Sequence, residues 1–224
     1  MIKIIKKVKN PKVLIVTPLW AGQQISKETK KTLKRNDIQF DWISSSGRYN
    51  IPTNLENGLD WYDKKFKLPE YYMMIDNDII AGRHLIDRLY EKLSKVVGTN
   101  FINLIDSYAY AYAYASFQFK GTVNANFPAI EFDIKRLWQG NYISSNSMFF
   151  TEAVRAVGLV KDNKYKRLLD WAFLLKLLKA GYVGIPCPEA SFIAVSNSND
   201  ISAGSAKDYK IKYQRVVNDF IKPI

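Results

Sequence analysis

Tyr71-Tyr72-Met73-Met74-Ile75-Asp76-Asn77-Asp78 is the stretch from which the rest of the chain is read. An apolar, strand-forming run stops abruptly in two carboxylates spaced one residue apart. Alternate residues of an extended chain point the same way, so Asp76 and Asp78 face one side. Two anionic oxygen donors at a strand end suit a hard divalent cation such as Mg²⁺ or Mn²⁺, and through it a diphosphate. Such an ion neutralises a leaving group rather than attacking a bond. The plainer alternative is a solvated turn that caps the following helix.

On both sides of this stretch, strands and helices alternate. Val13 to Thr17 reads as a short buried strand bounded by Pro18, and Ser26 caps a polar, outer helix running to about Asn36. Ile38 to Ser44 reads as a second strand that ends in the turn-prone run Ser44-Ser45-Ser46-Gly47. A short helix over Asn57 to Lys65 precedes the strand Tyr71 to Ile75, and Ile86, Leu89, Tyr90 and Leu93 recur at helical spacing after it. The alternation predicts an α/β domain whose central sheet is mostly parallel and flanked by helices on both faces. Ligands of such sheets sit beyond the carboxyl ends of the strands, where Pro18, Ser44 and Asp76 fall.

A chain of 224 residues fits one domain with an ample core. Cys187 is the only cysteine, which excludes an internal disulfide and a cysteine-based zinc site. No leader-like segment or membrane-length apolar run is visible, so the expected setting is soluble and cytoplasmic, a host cytoplasm if the source is viral. Basic residues outnumber acidic ones 33 to 21, and the net charge of +12 favours anionic partners. They crowd into a basic N-terminal extension (residues 1–12) and a basic C-terminal helix or tail (residues 201–224).

Tyr108, Tyr110, Tyr112 and Tyr114 alternate with alanines, and Phe117 and Phe119 follow. Residues two apart share a face only in a strand, so an extended segment with an aromatic stripe is expected. The rings serve either the core or a platform for a sugar or base. Further on, Asn141-Tyr142-Ile143-Ser144-Ser145-Asn146-Ser147-Met148-Phe149-Phe150 leads into a short helix that stops at Gly158. A second helix, from Leu168, is apolar nearly all round, stops at Gly181 and is expected to be buried. Packing does not require Asp170 in its first turn. The residue either complements the helix N-terminus, which lowers its pKa, or acts as a general base.

In their order and separations these pieces resemble the inverting nucleotide-sugar glycosyltransferases of the GT-A fold, the large family 2-like group. The resemblance runs from about Val13 to Pro186. Val13 to Pro18 resembles the opening strand that ends against the nucleotide, and Asn57-Gly58-Leu59 resembles a helix start before the metal strand. Asp76-Asn77-Asp78 resembles the Asp-x-Asp motif, Ser144 to Phe150 with Gly158 the acceptor-side segment, and Leu169-Asp170-Trp171 the helix start that bears the base. The resemblance implies that Thr17, Pro18, Ser44, Ser45, Asn57, Asp76 and Asn77 contact the nucleotide. It also implies that Asp76 and Asp78 hold Mn²⁺ or Mg²⁺ and that Asp170 is catalytic. A UDP-sugar is the favoured donor. The acceptor is a glycan or a modified nucleic acid, and a viral or phage enzyme fits the compact basic chain.

Three departures from that pattern stand out. Serines replace the aspartates usual at the second strand end, Leu169 replaces an acidic residue, and the only histidine, His84, follows the Asp-x-Asp turn where many relatives place a later metal-binding histidine. His84 reads as an exposed helix residue, and Asp200 is the speculative third ligand. Two non-enzymatic readings stand beside the enzyme: a nucleic-acid-binding module that stacks bases on the tyrosine stripe, and a peripheral membrane protein using Lys164 to Lys179.

Overall fold

The computed structural model describes residues 1–96, 100–102, 107–122, 124–196 and 206–221. Asp200 and Lys222 lie outside them. The strands are β1 (Ile2–Lys6), β2 (Val13–Trp20), β3 (Phe40–Gly47), β4 (Tyr71–Met74), β5 (Ile79–Ala81), β6 (Asn100–Ile102), β7 (Ser107–Gly121), β8 (Ala125–Phe127), β9 (Met148–Phe150) and β10 (Tyr182–Ser196). The helices are α1 (Lys27–Leu33), α2 (Ile51–Lys65), α3 (Leu85–Ser94), α4 (Ile134–Gln139), α5 (Thr151–Val157), α6 (Leu169–Lys179) and α7 (Ala206–Val216).

All these strands belong to one sheet, in the order β1-β3-β2-β4-β9-β7-β10-β5, with β6 and β8 also paired to β7. The α/β expectation holds, and the sheet is mixed. The long ladders β2–β3 and β7–β10 and the β2–β4 pairing are parallel, while β1, β5, β6, β8 and β9 join antiparallel. Short strands such as β5 and β9 carry no periodicity that sequence reading can detect.

Two apolar layers cover the sheet. On one side Leu14, Val16, Tyr72, Tyr112, Tyr114 and Phe149 pack under α2 and α6; on the other Val13, Ile15, Met73, Ala113 and Met148 pack under α3. Helix α6 is buried around nearly its whole circumference, with Trp171, Ala172 and Leu177 fully enclosed. That removes it as a membrane-surface helix. Among the described residues no helix is long and apolar enough to cross a membrane. Gly58 lets α2 settle on the sheet, because a Cβ there would meet Val16 Cγ1 at 2.8 Å and Ser45 Cβ at 3.2 Å.

The aromatic stripe is core. Tyr112 and Tyr114 are fully buried, and Tyr108 and Tyr110 pack against the same cluster. This takes away the surface on which nucleic-acid stacking depended. Phe117 and Phe119, displaced by one residue in parity, face the other side and join Phe127 and Phe192 in an aromatic cluster; the Phe117 and Phe127 rings stack 4.6 Å apart.

The basic ends are partly structural. Strand β1 pairs with β3, and Lys7 reaches the buried carboxylate of Asp41 at 2.5 Å. That carboxylate also accepts the Val8 N–H (2.8 Å) and the Tyr62 hydroxyl. At the other end, Tyr213 of α7 stacks on Trp171 and donates its hydroxyl to the Gln139 carbonyl.

Candidate active site

The Asp76-Asn77-Asp78 turn joins β4 to β5 at the carboxyl edge of the parallel strands. Helix α1 fixes it from below. Ser26 caps that helix by accepting the Thr29 N–H, and the Ser26 N–H donates to the Asn77 carbonyl at 2.8 Å. The Thr29 hydroxyl donates toward the Asn77 and Ile79 carbonyls at 3.0 and 2.8 Å, and Thr32 accepts the Ala81 N–H. α1 is the outer helix expected, with Lys27, Glu28, Lys30 and Lys31 exposed, but one face of it is buried. Its threonines turn inward because they satisfy backbone groups of the turn and of β5.

A cleft of about 1050 Å³ opens above this edge. Asp76, Asn77 and Asp78 line it, and so does Asp170 from the first turn of α6. The Asp-x-Asp turn and Asp170 thus share one cavity. Burial raises the pKa of Asp76, Asn146 opposes that by hydrogen bonding, and the negative charge of Asp170 raises it further. Asp170 is raised to about 6 by burial, against hydrogen bonds from the Trp171 N–H (2.8 Å) and the Asn141 amide (2.8 Å). The sequence reading expected the helix N-terminus to hold this pKa down. Desolvation outweighs the dipole here, and the group is still ionised at neutral pH.

The other expected nucleotide residues divide. Pro18 and Asn77 line the cleft. Thr17 does not: it is fully buried and accepts the Trp42 indole N–H at 3.0 Å. Ser44 and Ser45 are also buried inside β3, because β2 and β3 stay paired to Trp20 and Gly47, each three residues beyond the expected strand end. Asn57 is exposed on the outer side of α2. The helix begins six residues before it, with Asn50 as N-cap and Pro52 in the first turn, and its inward residues are Asn54, Leu55, Gly58 and Leu59. The Asn-Ile-Pro start was the signal available for this.

Residues that sequence reading missed occupy the vacated positions. Trp20 at the true end of β2, Gln23 beyond it, and Arg48, Tyr49 and Asn50 after β3 line the cleft. Trp20 is 39% and Tyr49 61% exposed, which leaves their rings open to a ligand. The buried Asn54 amide donates to the Leu19 and Tyr49 carbonyls at 3.1 and 3.2 Å, fixing both loops. Lys166 and Arg167 line the cleft just ahead of α6, and Arg167 holds a left-handed backbone (φ 80°), a costly conformation for a non-glycine residue. Asn141 and Asn146 contact the two carboxylates directly.

The donor chemistry at the turn fits a hard divalent cation. Asp76 and Asp78 offer carboxylate oxygens, and a cation would offset the burial and, after it, the neighbouring Asp170 charge that disfavour ionised Asp76. His84 plays no part in this cleft. It lies with Asp37 and Asp87 beyond the amino end of β3, where ligand-type atoms of the three come within 4.8 Å of one another. Those atoms already serve one another. His84 Nδ1 meets Asp87 at 2.7 Å, Nε2 accepts from Arg83, and Asp87 accepts the N–H groups of Asp37 and Ile38. The group staples α3 to the loop between α1 and β3.

No protein-family model and no curated protein sequence matches the chain. Solved structures do. The glycosyltransferase TarS of S. aureus superimposes with a TM-score of 0.56 at 10% identity, covering 95% of this chain and 40% of that one. Its residues 1–349 in complex with UDP-GlcNAc give a TM-score of 0.59 at 10% identity, and in complex with UDP 0.55 at 11%. Each covers 95% of this chain, against 68% and 67% of the TarS fragment. The chain thus spans well under half of full TarS and about two thirds of the fragment. With its sheet order and its cleft at the strand ends, this chain has a glycosyltransferase fold of the GT-A type.

Proposed function

We propose that the chain is a metal-dependent, inverting glycosyltransferase that moves a sugar from a UDP-sugar to an acceptor hydroxyl. The observation that carries this reading is the convergence of Asp76 and Asp78, from the turn after β4, with Asp170, from α6, on one cleft of a GT-A-type fold. The complexes of TarS with UDP-GlcNAc and with UDP support the choice of donor.

Each part of the cleft has a task. Trp20 and Tyr49 offer ring faces for the base beside Pro18. Arg48, Lys166 and Arg167 bring positive charge to a cavity that would receive a diphosphate. Asp76 and Asp78 would hold Mn²⁺ or Mg²⁺, which when bound supplies charge neutralisation to the departing diphosphate. Asp170 accepts the proton of the acceptor hydroxyl as that oxygen bonds to the anomeric carbon. The bond from that carbon to the diphosphate oxygen breaks, its electron pair leaves with UDP, and one displacement inverts the configuration. A base with a pKa of about 6 is ionised at neutral pH yet basic enough to assist.

The acceptor is a glycan or a modified nucleic acid of the cell or viral host in which the chain works. Affinity that falls steeply with salt marks the nucleic acid, since phosphate contacts release counterions. The test of the reaction itself is incubation with UDP-GlcNAc, Mn²⁺ and a panel of acceptors, with released UDP and the anomeric proton coupling of the product followed by NMR. A product of inverted configuration supports the reading; retained configuration or no UDP release under any condition refutes it.

A further inference from the structure

The loop of residues 140–147, between α4 and β9, touches both partly buried acids of the cleft. Asn141 Nδ2 donates to Asp170 Oδ2 at 2.8 Å, and its Oδ1 accepts the Ile143 N–H at 3.1 Å. Asn146 Nδ2 donates to Asp76 Oδ2 at 2.8 Å, and its Oδ1 accepts the Asp76 N–H at 2.9 Å. The backbone fixes the orientation of each amide, because a flipped Asn would aim its NH₂ at an N–H donor and its oxygen at a carboxylate. The loop is itself braced: the Asn146 N–H donates to Ser144 Oγ at 3.1 Å, and the Ser147 hydroxyl donates to the Ser144 carbonyl at 2.6 Å. Asn146 is 3% exposed.

We propose that this loop is a double clamp in which Asn141 positions Asp170 and Asn146 positions Asp76. Two carboxylates carried by different elements are thereby held in one arrangement. Asparagine suits the task because it presents a neutral donor and an acceptor on one short side chain. A carboxylate in its place would repel its partner, and an apolar residue would leave that partner with fewer donors in a desolvated site. The donors also favour the ionised carboxylates against burial and mutual repulsion. The catalytic consequence rests on the glycosyltransferase reading; the clamp itself does not.

Asn141→Ala and Asn141→Asp test the first grip. The second variant keeps the acceptor for the Ile143 N–H, so the loop stays anchored while the donor to Asp170 is lost. Both are expected to lower kcat about 10- to 100-fold, the worth of one hydrogen bond to a charged group, with UDP affinity unchanged. The acid limb of kcat moves to higher pH, further in Asn141→Asp. Asn146→Ala gives the opposite pattern, with UDP binding weakened about tenfold and the acid limb in place. A loop that merely supports the fold would move both quantities in every variant, and that result overturns the proposal, as does unchanged kcat in a folded Asn141→Asp. Should the wild type transfer no sugar, the side-chain carboxyl ¹³C signal of Asp170, assigned with Asp170→Asn, reads the clamp alone. It titrates at higher pH in Asn141→Asp than in the wild type if the clamp exists, and identically if it does not.

Discussion

Replacing Asp170 by asparagine should stop turnover and make the protein more stable. Burial raises the folded-state pKa of Asp170 from 3.8 to about 6. At 1.36 kcal/mol per unit, ionised Asp170 then costs the fold about 3 kcal/mol at neutral pH. Asparagine removes that charge but offers one carbonyl oxygen where two carboxylate oxygens now serve the Trp171 N–H and the Asn141 amide. One lost hydrogen bond returns about 1 kcal/mol, leaving a gain of about 2 kcal/mol. In a domain of this size that is a rise in Tm of about 4–8 °C. The cost of the ionised group is fully present above the folded-state pKa and disappears below the unfolded value. The Tm difference between Asp170→Asn and wild type should therefore be largest near about pH 8 and vanish toward about pH 4. Thermal unfolding followed by circular dichroism across that range, beside a transfer assay at each pH, measures both halves. A Tm difference that is independent of pH, or a variant less stable than wild type at the alkaline end, would refute the reasoning.

Wild-type kcat/KM should show an acid limb with a midpoint near 6, falling about tenfold per pH unit below it; a flat profile down to about pH 4.5 would contradict the assignment of the base. Gly184→Ala would drive a Cβ into the buried ring of Tyr112, 2.7 Å from its Cζ, and should cost about 1–3 kcal/mol in chemical denaturation. Asp41→Ala would leave the buried Tyr62 hydroxyl and the Val8 N–H without their acceptor and should lower Tm by about 6–12 °C, equivalent to about 3 kcal/mol.

The parts of the fold that could be read from sequence are those whose information is local. The strand that runs into Asp76 and Asp78, the helix that carries Asp170, and the alternation of Tyr108 to Tyr114 are each set by neighbouring residues. Ser44 and Ser45 lie outside the cleft lining because a strand ends where its partner ends, and β2 holds β3 in register to Gly47. Asn57 is kept out of the cleft by helical phase: with the N-cap at Asn50, position 57 turns outward and Asn54 turns in. The grips of Asn141 on Asp170 and Asn146 on Asp76 join residues 29 and 70 positions apart, so no local pattern announces them. The balance between desolvation and helix N-terminus at Asp170 likewise needed the packing of α6.

The central claim is that Asp76, Asp78 and Asp170 line one nucleotide-sugar site. Isothermal titration of UDP into wild type, Asp78→Asn and Asp170→Asn, each with Mn²⁺ and with chelator, tests it most directly. The account predicts metal-dependent binding in the wild type, loss of the metal dependence in Asp78→Asn, and full binding in Asp170→Asn. UDP binding that ignores both the metal and Asp78, or no binding to the wild type, would contradict it.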